Sequence, residues 1–447
     1  ADEAVRAYDR AAAAASNMGD DDLAFHLALT AAAVQQQQKR LREAMTRYAS
    51  LARGSPQHAD AAKAHLQATW NAAHVFGPRS KEYRELIAEH LRLWSESPTA
   101  DNARLWLARA LQGERKWAEA AAAYRQVRPT ASTFANAVAG AALCYDKSFA
   151  RTPNNEEAAD AAKWFESIAV APDGKWPATL SPSQRTAVTA AAKLRLRHVA
   201  SSAVDVVALL TAAKQHAADA PAEWRTAIVL LEIESLAAGG DFETAETSVL
   251  GLIDASKADG ALGNPSAEGV QDLLATLAVM RTAKPNDRDA TRRIAAIELA
   301  AGKLLTAVQG SDPQGATTSS VTTRRAAADA LAAAGRRDEA IAAYRKLAAE
   351  FSADAAVQSG YAALLSAGDD RASLVAALEQ WRLVESKTRP ATDTWFAAKY
   401  EIATLHERLD DKRQALRVVT LLAALYPDLG GEAMKAKFDA LKRRCQQ

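Results

Sequence analysis

Cysteine, aromatic residues and net charge are all scarce in this chain of 447 residues, and each shortage closes off a class of function. The two cysteines, Cys144 and Cys445, lie far apart and outside any CxxC or Cys/His cluster, so they read as free thiols and suggest neither a disulfide framework nor a zinc site. Lys and Arg number 55 against 54 Asp and Glu, and a net charge of +1 offers no global field for nucleic acid or an anionic membrane. The longest apolar run near the C-terminus, Val418 to Tyr426, is about half of the roughly twenty residues that span a bilayer, so no membrane insertion is expected. Period-two alternation long enough for a strand is missing as well. With aromatics at 6% and Ala recurring throughout, the composition favours closely packed helices.

Catalytic signatures are absent in the same way. None of the eight histidines forms an HExxH motif or an i, i+4 histidine pair, and there is no GxSxG, phosphate loop or dinucleotide-binding glycine pattern. Neither a metal nor a cofactor is expected. His90 and His406 fall at packing positions of the helical pattern, and Gly239-Gly240 closes a helix pair. The acidic run Asp20 to Asp22 lacks calcium-loop spacing and precedes a helix starting near Leu23, where carboxylates complement the helix dipole. Basic clusters such as Lys442-Arg443-Arg444 have no neighbouring aromatics for base stacking, so they read as solvated helix faces.

What the chain does contain is one motif written four times: Glu-Ala-x-x-x-Tyr, at Glu3 to Tyr8, Glu43 to Tyr48, Glu119 to Tyr124 and Glu339 to Tyr344. The Ala and the Tyr four residues later share a helix face, so a neighbouring helix can approach closely at the Ala while the ring wedges beside it. Around the last copy, Ala328 and Leu331 precede Gly335, and Ala340 and Tyr344 follow. A second stretch offers Ala403, His406, Ala415, Val419, Leu422 and Pro427, with Asp410 in place of the turn glycine. Ala32, Ala44, Tyr48, Leu51 and Pro56 form another copy; so do Ala108, Leu111, Ala120, Tyr124 and Val127, and Leu236, Gly240, Phe242, Ala245, Val249 and Leu252.

This pattern resembles the tetratricopeptide repeat, a helix-turn-helix unit of about 34 residues with small residues at fixed contacts. The resemblance implies an all-α, right-handed solenoid of about ten antiparallel helix pairs. Gly310 to Ser320 is rich in Gly, Ser and Thr, which suggests an array over 1–309, a flexible joint at 310–320 and a second array over 321–447. Between Ser183 and Ala220 the helices lack the signature. Because Asp2-Glu3-Ala4 to Tyr8 matches the second helix of a repeat, the chain starts in mid-repeat, and the natural protein is expected to extend upstream of residue 1.

The resemblance also implies that the first helix of each pair lines an inner groove, whose non-consensus positions choose the ligand. By that register the groove candidates are Asn71, Asn102, Arg109, Gln112, Glu234, Arg325, Asp329, Tyr400, Thr404, Glu407 and Arg408, with Asn71, Asn102 and Arg109 as the nearest approach to an anion-binding trio. Trp176, between Lys175 and Pro177 in an irregular segment, is the expected exposed anchor. These residues point to a non-enzymatic scaffold that binds partner proteins, with neither nucleic acid nor membrane insertion expected, within a larger chain or a multi-subunit assembly. The rival readings are a helical enzyme or its regulatory domain, and an assembly subunit that binds copies of itself. Compartment stays open between cytoplasm and periplasm.

Overall fold

The computed structural model describes residues 2–171, 173–199, 203–257, 265–284, 286–310 and 321–447. Among these residues there are 22 α-helices and no strand. In chain order they are α1 (Asp2–Asn17), α2 (Asp21–Gln37), α3 (Leu41–Gly54), α4 (Ala61–Phe76), α5 (Lys81–Leu93), α6 (Ala100–Gly113), α7 (Trp117–Arg125), α8 (Phe134–Arg151), α9 (Asn155–Ala169), α10 (Pro182–His198) and α11 (Ala203–Gln215). There follow α12 (Ala222–Gly239), α13 (Phe242–Lys257), α14 (Ala267–Ala283), α15 (Arg288–Gly310), α16 (Val321–Ala333), α17 (Arg337–Glu350), α18 (Ala355–Ser366), α19 (Arg371–Lys387), α20 (Asp393–Arg408), α21 (Lys412–Leu425) and α22 (Glu432–Gln446). The chain divides into two compact units, Ala1–Trp224 and Arg225–Gln447. Of the expected joint at 310–320, Gly310 ends α15 and the rest lies outside the described residues.

Each unit is built of helices that pack on their neighbours in the chain, so the apolar core is a series of small clusters rather than one mass. The Glu-Ala-x-x-x-Tyr motif falls on odd-numbered helices, which makes the even-numbered helices the first members of the pairs α2/α3 to α20/α21. Five of the turns between them follow one rule. Lys39, Arg115, Gly240, Gly335 and Asp410 all have positive φ, between 61° and 87°. The next residue's N–H then reaches back to the helix: Arg40 to Gln35, Lys116 to Leu111, Asp241 to Leu236, Arg336 to Leu331 and Asp411 to His406, at 2.8–3.0 Å. This is the Schellman closure, and it sets the helices antiparallel. Asp410 therefore occupies the turn position the sequence assigns it, at φ 65°.

The motif is a wedge. Ala44, Ala120 and Ala340 are fully buried, and Tyr124 and Tyr344 nearly so. Each ring lies against a glycine of the following helix, where an added Cβ would sit 2.3 Å from Tyr124 at Gly140 and 2.6 Å from Tyr344 at Gly360. The hydroxyls point back into their own pair: Tyr124 donates to Gln112 Oε1 at 2.6 Å, and Tyr344 donates to Asp329. Cys144, fully buried one turn beyond Gly140, shares this core, and burial pushes its thiol up to about 11.

The junction of α4, α5 and α6 is built differently. His65 and His90 are fully buried, with their rings 5.4 Å apart and Trp94 5.0 and 5.5 Å from them. His65 Nε2 bonds Glu89 at 3.1 Å, Arg53 grips the same carboxylate at 2.7 and 2.8 Å, and His90 Nε2 meets Thr99 Oγ1 at 3.0 Å. Both Nδ1 atoms lack a partner. Burial lowers the pKa of both rings, His90 to about 4, so both are neutral near pH 7.

Helix α9 departs from the pattern. It packs closely on α10 and barely on α8, so α10 lies against α8 directly. Helix α10 begins with a full capping box between Ser181 and Gln184.

Candidate functional site

The groove candidates all lie on even-numbered helices, yet packing claims most of them. Asn71 is fully buried: its amide donates to Gln36 Oε1 of α2 at 3.2 Å and to Gln67 O at 2.8 Å. Of the proposed trio with Asn102 and Arg109, Asn71 is thus the buried member, its amide held by α2 and by its own helix. Gln112 and Asp329 are the acceptors that hold the two wedge tyrosines. Glu407 is bound by Arg444 through two bonds at 2.8 and 2.9 Å, and Tyr400 packs edge-on to Phe438 with Lys437 over its ring. Arg408 seals the end of α18, donating to Gly368 O at 2.6 Å, to Asp369 at 3.0 Å and to Ser366 O. Glu234 is buried, and Thr404 Oγ1 is buried without a partner.

Asn102, Arg109 and Arg325 keep more freedom. Asn102 borders an open cleft of about 520 Å³ with Asp101, Arg128 and Thr133, in which Arg128 is committed to Asp101 through its Nε at 2.9 Å and its backbone N–H at 3.1 Å. Arg109 is exposed near the hydroxyls of Tyr83 and Tyr124, and Arg325 is half-buried near Tyr344. Trp176 is not the free anchor expected of it. It is half-buried and stacks on His216, with ring centroids 5.7 Å apart and planes 5° from parallel.

Two groupings escape the sequence reading. The first lies between α8 and α10, a cleft of about 210 Å³ lined by Leu143, Asp146, Lys193, Leu194, Arg197 and His198. Leu143 is 45% exposed there, whereas Leu194 is buried. The sequence signal was available: from Pro182 to His198 there are four cationic side chains and no carboxylate.

The second brings Asp22, His26 and His58 within 4.8 Å of one another, close enough to surround a metal ion. The hydrogen bonds read otherwise. The backbone N–H of Asp60 donates to His58 Nδ1 at 3.1 Å, which puts the ring proton on Nε2, and Nε2 donates to Asp22 Oδ1 at 3.0 Å. A metal at Nε2 would require moving that proton to a nitrogen that already faces a donor. His26 has a carboxylate at each nitrogen, Asp60 at 3.1 Å and Asp22 at 3.4 Å, and the Asp60 bond raises its pKa. Protons, with Phe25 stacked 3.7 Å from His58, complete this clip between α2 and the α3–α4 turn.

Helix order, the shared left-handed turn and the tyrosine wedge together decide the repeat type. The helix pairs are tetratricopeptide-like. Among solved structures the chain is similar to yeast Tom70, with 14% identity over 95% of this chain and 89% of that chain and a TM-score of 0.25. It is similar to the P58(IPK) TPR domain at 12% identity, 89% and 98% coverage and a TM-score of 0.25. With the human IFIT1 dimer with PPP-AAAA it shares 12% identity over 94% and 91% of the two chains, at a TM-score of 0.29. Superpositions this loose add nothing to the fold assignment, which stands on the tetratricopeptide-like pairs themselves. No family model and no curated protein matches the sequence.

Proposed function

We propose that this chain is a non-enzymatic scaffold whose even-numbered helices bind partner proteins. The supporting observation is that three even-numbered helices of the first unit keep a large apolar side chain in solvent, Leu23 on α2, Trp70 on α4 and Leu143 on α8, each 37–45% exposed; α6 carries none, and the odd-numbered α5 and α11 carry Leu93 and Val204. Scattered single residues are ordinary on a surface, but apolar side chains that recur from helix to helix give a partner several footholds whose weak contacts add. Of the buried acids that an enzyme reading would recruit, Glu298 is bound by Arg281 at 2.6 Å and Asp101 by Arg104 at 3.0 Å and Arg128 at 2.8 Å.

The test is site-specific photo-crosslinking in the native source. A photoreactive residue at Trp70 or Arg109 is expected to capture discrete partner bands, while the same residue at Leu250 or Leu421, on odd-numbered helices, captures at least fivefold less. Equal capture from both rows would overturn the assignment of the face.

A further inference from the structure

We propose that the cleft between α8 and α10 binds an acidic peptide segment of a partner protein, seating one apolar side chain on Leu143 and Leu194 and the flanking carboxylates on Lys193 and Arg197. This deepens the scaffold reading and rests on it.

Size comes first. At about 210 Å³ the cleft is smaller than the roughly 300–1,000 Å³ of small-molecule sites, and it suits a single side chain with its backbone lying across the rim. Its floor is aliphatic, made by Ala142, Leu143, Ala190 and Leu194.

Charge decides the partner. Of the four cations on α10, Arg185 is held by Leu180 O at 2.7 Å and Arg195 by Glu166 at 2.8 Å, and neither lines the cleft. Lys193 and Arg197 do line it. Arg197 and His198 end the helix, where a cation also complements the dipole, so Lys193, one turn earlier and in no ion pair among the described residues, is the discriminating group. Asp146 stands on the α8 side, near His198, and accepts a peptide N–H rather than meeting a carboxylate. The two walls thus differ in sign and orient the segment, with its acids toward α10. A phosphate backbone would share the attraction to Lys193, but His198 is the only ring on the lining and the floor gives bases nothing to stack on.

The whole chain is probed with an array of pentapeptides having a central Leu, Ile, Phe or Trp flanked by Asp and Glu, by Lys, or by Ser. The acidic set is expected to bind at least tenfold more strongly than the other two and to weaken with salt. Lys193→Glu should abolish the preference, Lys193→Arg should retain it, and Leu143→Ser should weaken binding about fivefold, all three melting like the parent. Binding indifferent to flanking charge, or unchanged in Lys193→Glu, overturns the proposal, as does a decauridine that competes at lower concentration than the acidic peptides. If crosslinkers at Trp70 and Arg109 capture partners while Lys193→Glu changes nothing, the cleft assignment falls and the scaffold stands; if those crosslinkers are silent too, both fall.

Discussion

The α7–α8 junction and the α4–α6 junction perform the same task, joining one helix pair to the next, with opposite chemistry. At the first, Tyr124 closes against the bare backbone of Gly140, and its one polar atom goes to Gln112. At the second, two buried imidazoles take the place of the ring, each satisfied at Nε2 and unsatisfied at Nδ1. The repeat therefore specifies shape at its junctions and leaves polarity free. The dry junction depends on volume, whereas the histidine junction depends on both imidazoles staying neutral.

Acid should separate the two most strongly. An unfolded histidine takes up its proton near pH 6.5, while folded His90 resists down to about 4, so the unfolded state binds more protons across that window. The stability is fully present above pH 6.5 and is lost as pH falls through 4, by roughly 3 kcal/mol for a single site at 1.36 kcal/mol per unit. Hydrogen exchange at pH 7, 5 and 4 should show α4 and α5 opening while α7 and α8 stay protected; equal loss of protection would contradict it.

Volume should break the other junction. Gly140→Ala drives a methyl group into the Tyr124 ring and is expected to cost about 1–3 kcal/mol, read as lost protection in α7 and α8. Tyr124→Phe keeps the wedge and removes its anchor to Gln112, for about 1 kcal/mol. The smallest effect runs the other way: Asp410→Gly relieves a left-handed aspartate in a turn that Gly335 makes without strain, and should raise stability by up to about 1 kcal/mol in thermal melts. An unchanged or lower melting temperature would show that the aspartate side chain contributes there.

Helix pairs, turns and wedges were legible because they depend on residues close in sequence. Gly335 and Asp410 mark the same backbone position, and each motif Ala in a covered helix is buried. The copy at Ala4 shows the limit of that logic, since the same letters leave Ala4 exposed where, among the described residues, α1 packs chiefly on α2. Site residues were less legible because availability is decided by neighbours. Asn71 is closed off by Gln36, Trp176 is stacked on His216, and Gln112 is held by a tyrosine on the next helix. The α8–α10 cleft could not be read from register at all, since it exists because α9 steps aside. The histidine clip likewise joins Asp22 and His26 to the turn that leads from their own pair to the next.

The two cysteines, uninformative as chemistry, acquire a use from where they lie. Cys144 is buried in the first unit and Cys445 in the second, and burial raises both thiols, Cys144 to about 11. A thiol-reactive dye therefore reports how often each core opens, one clock in each unit, without any label having to be engineered.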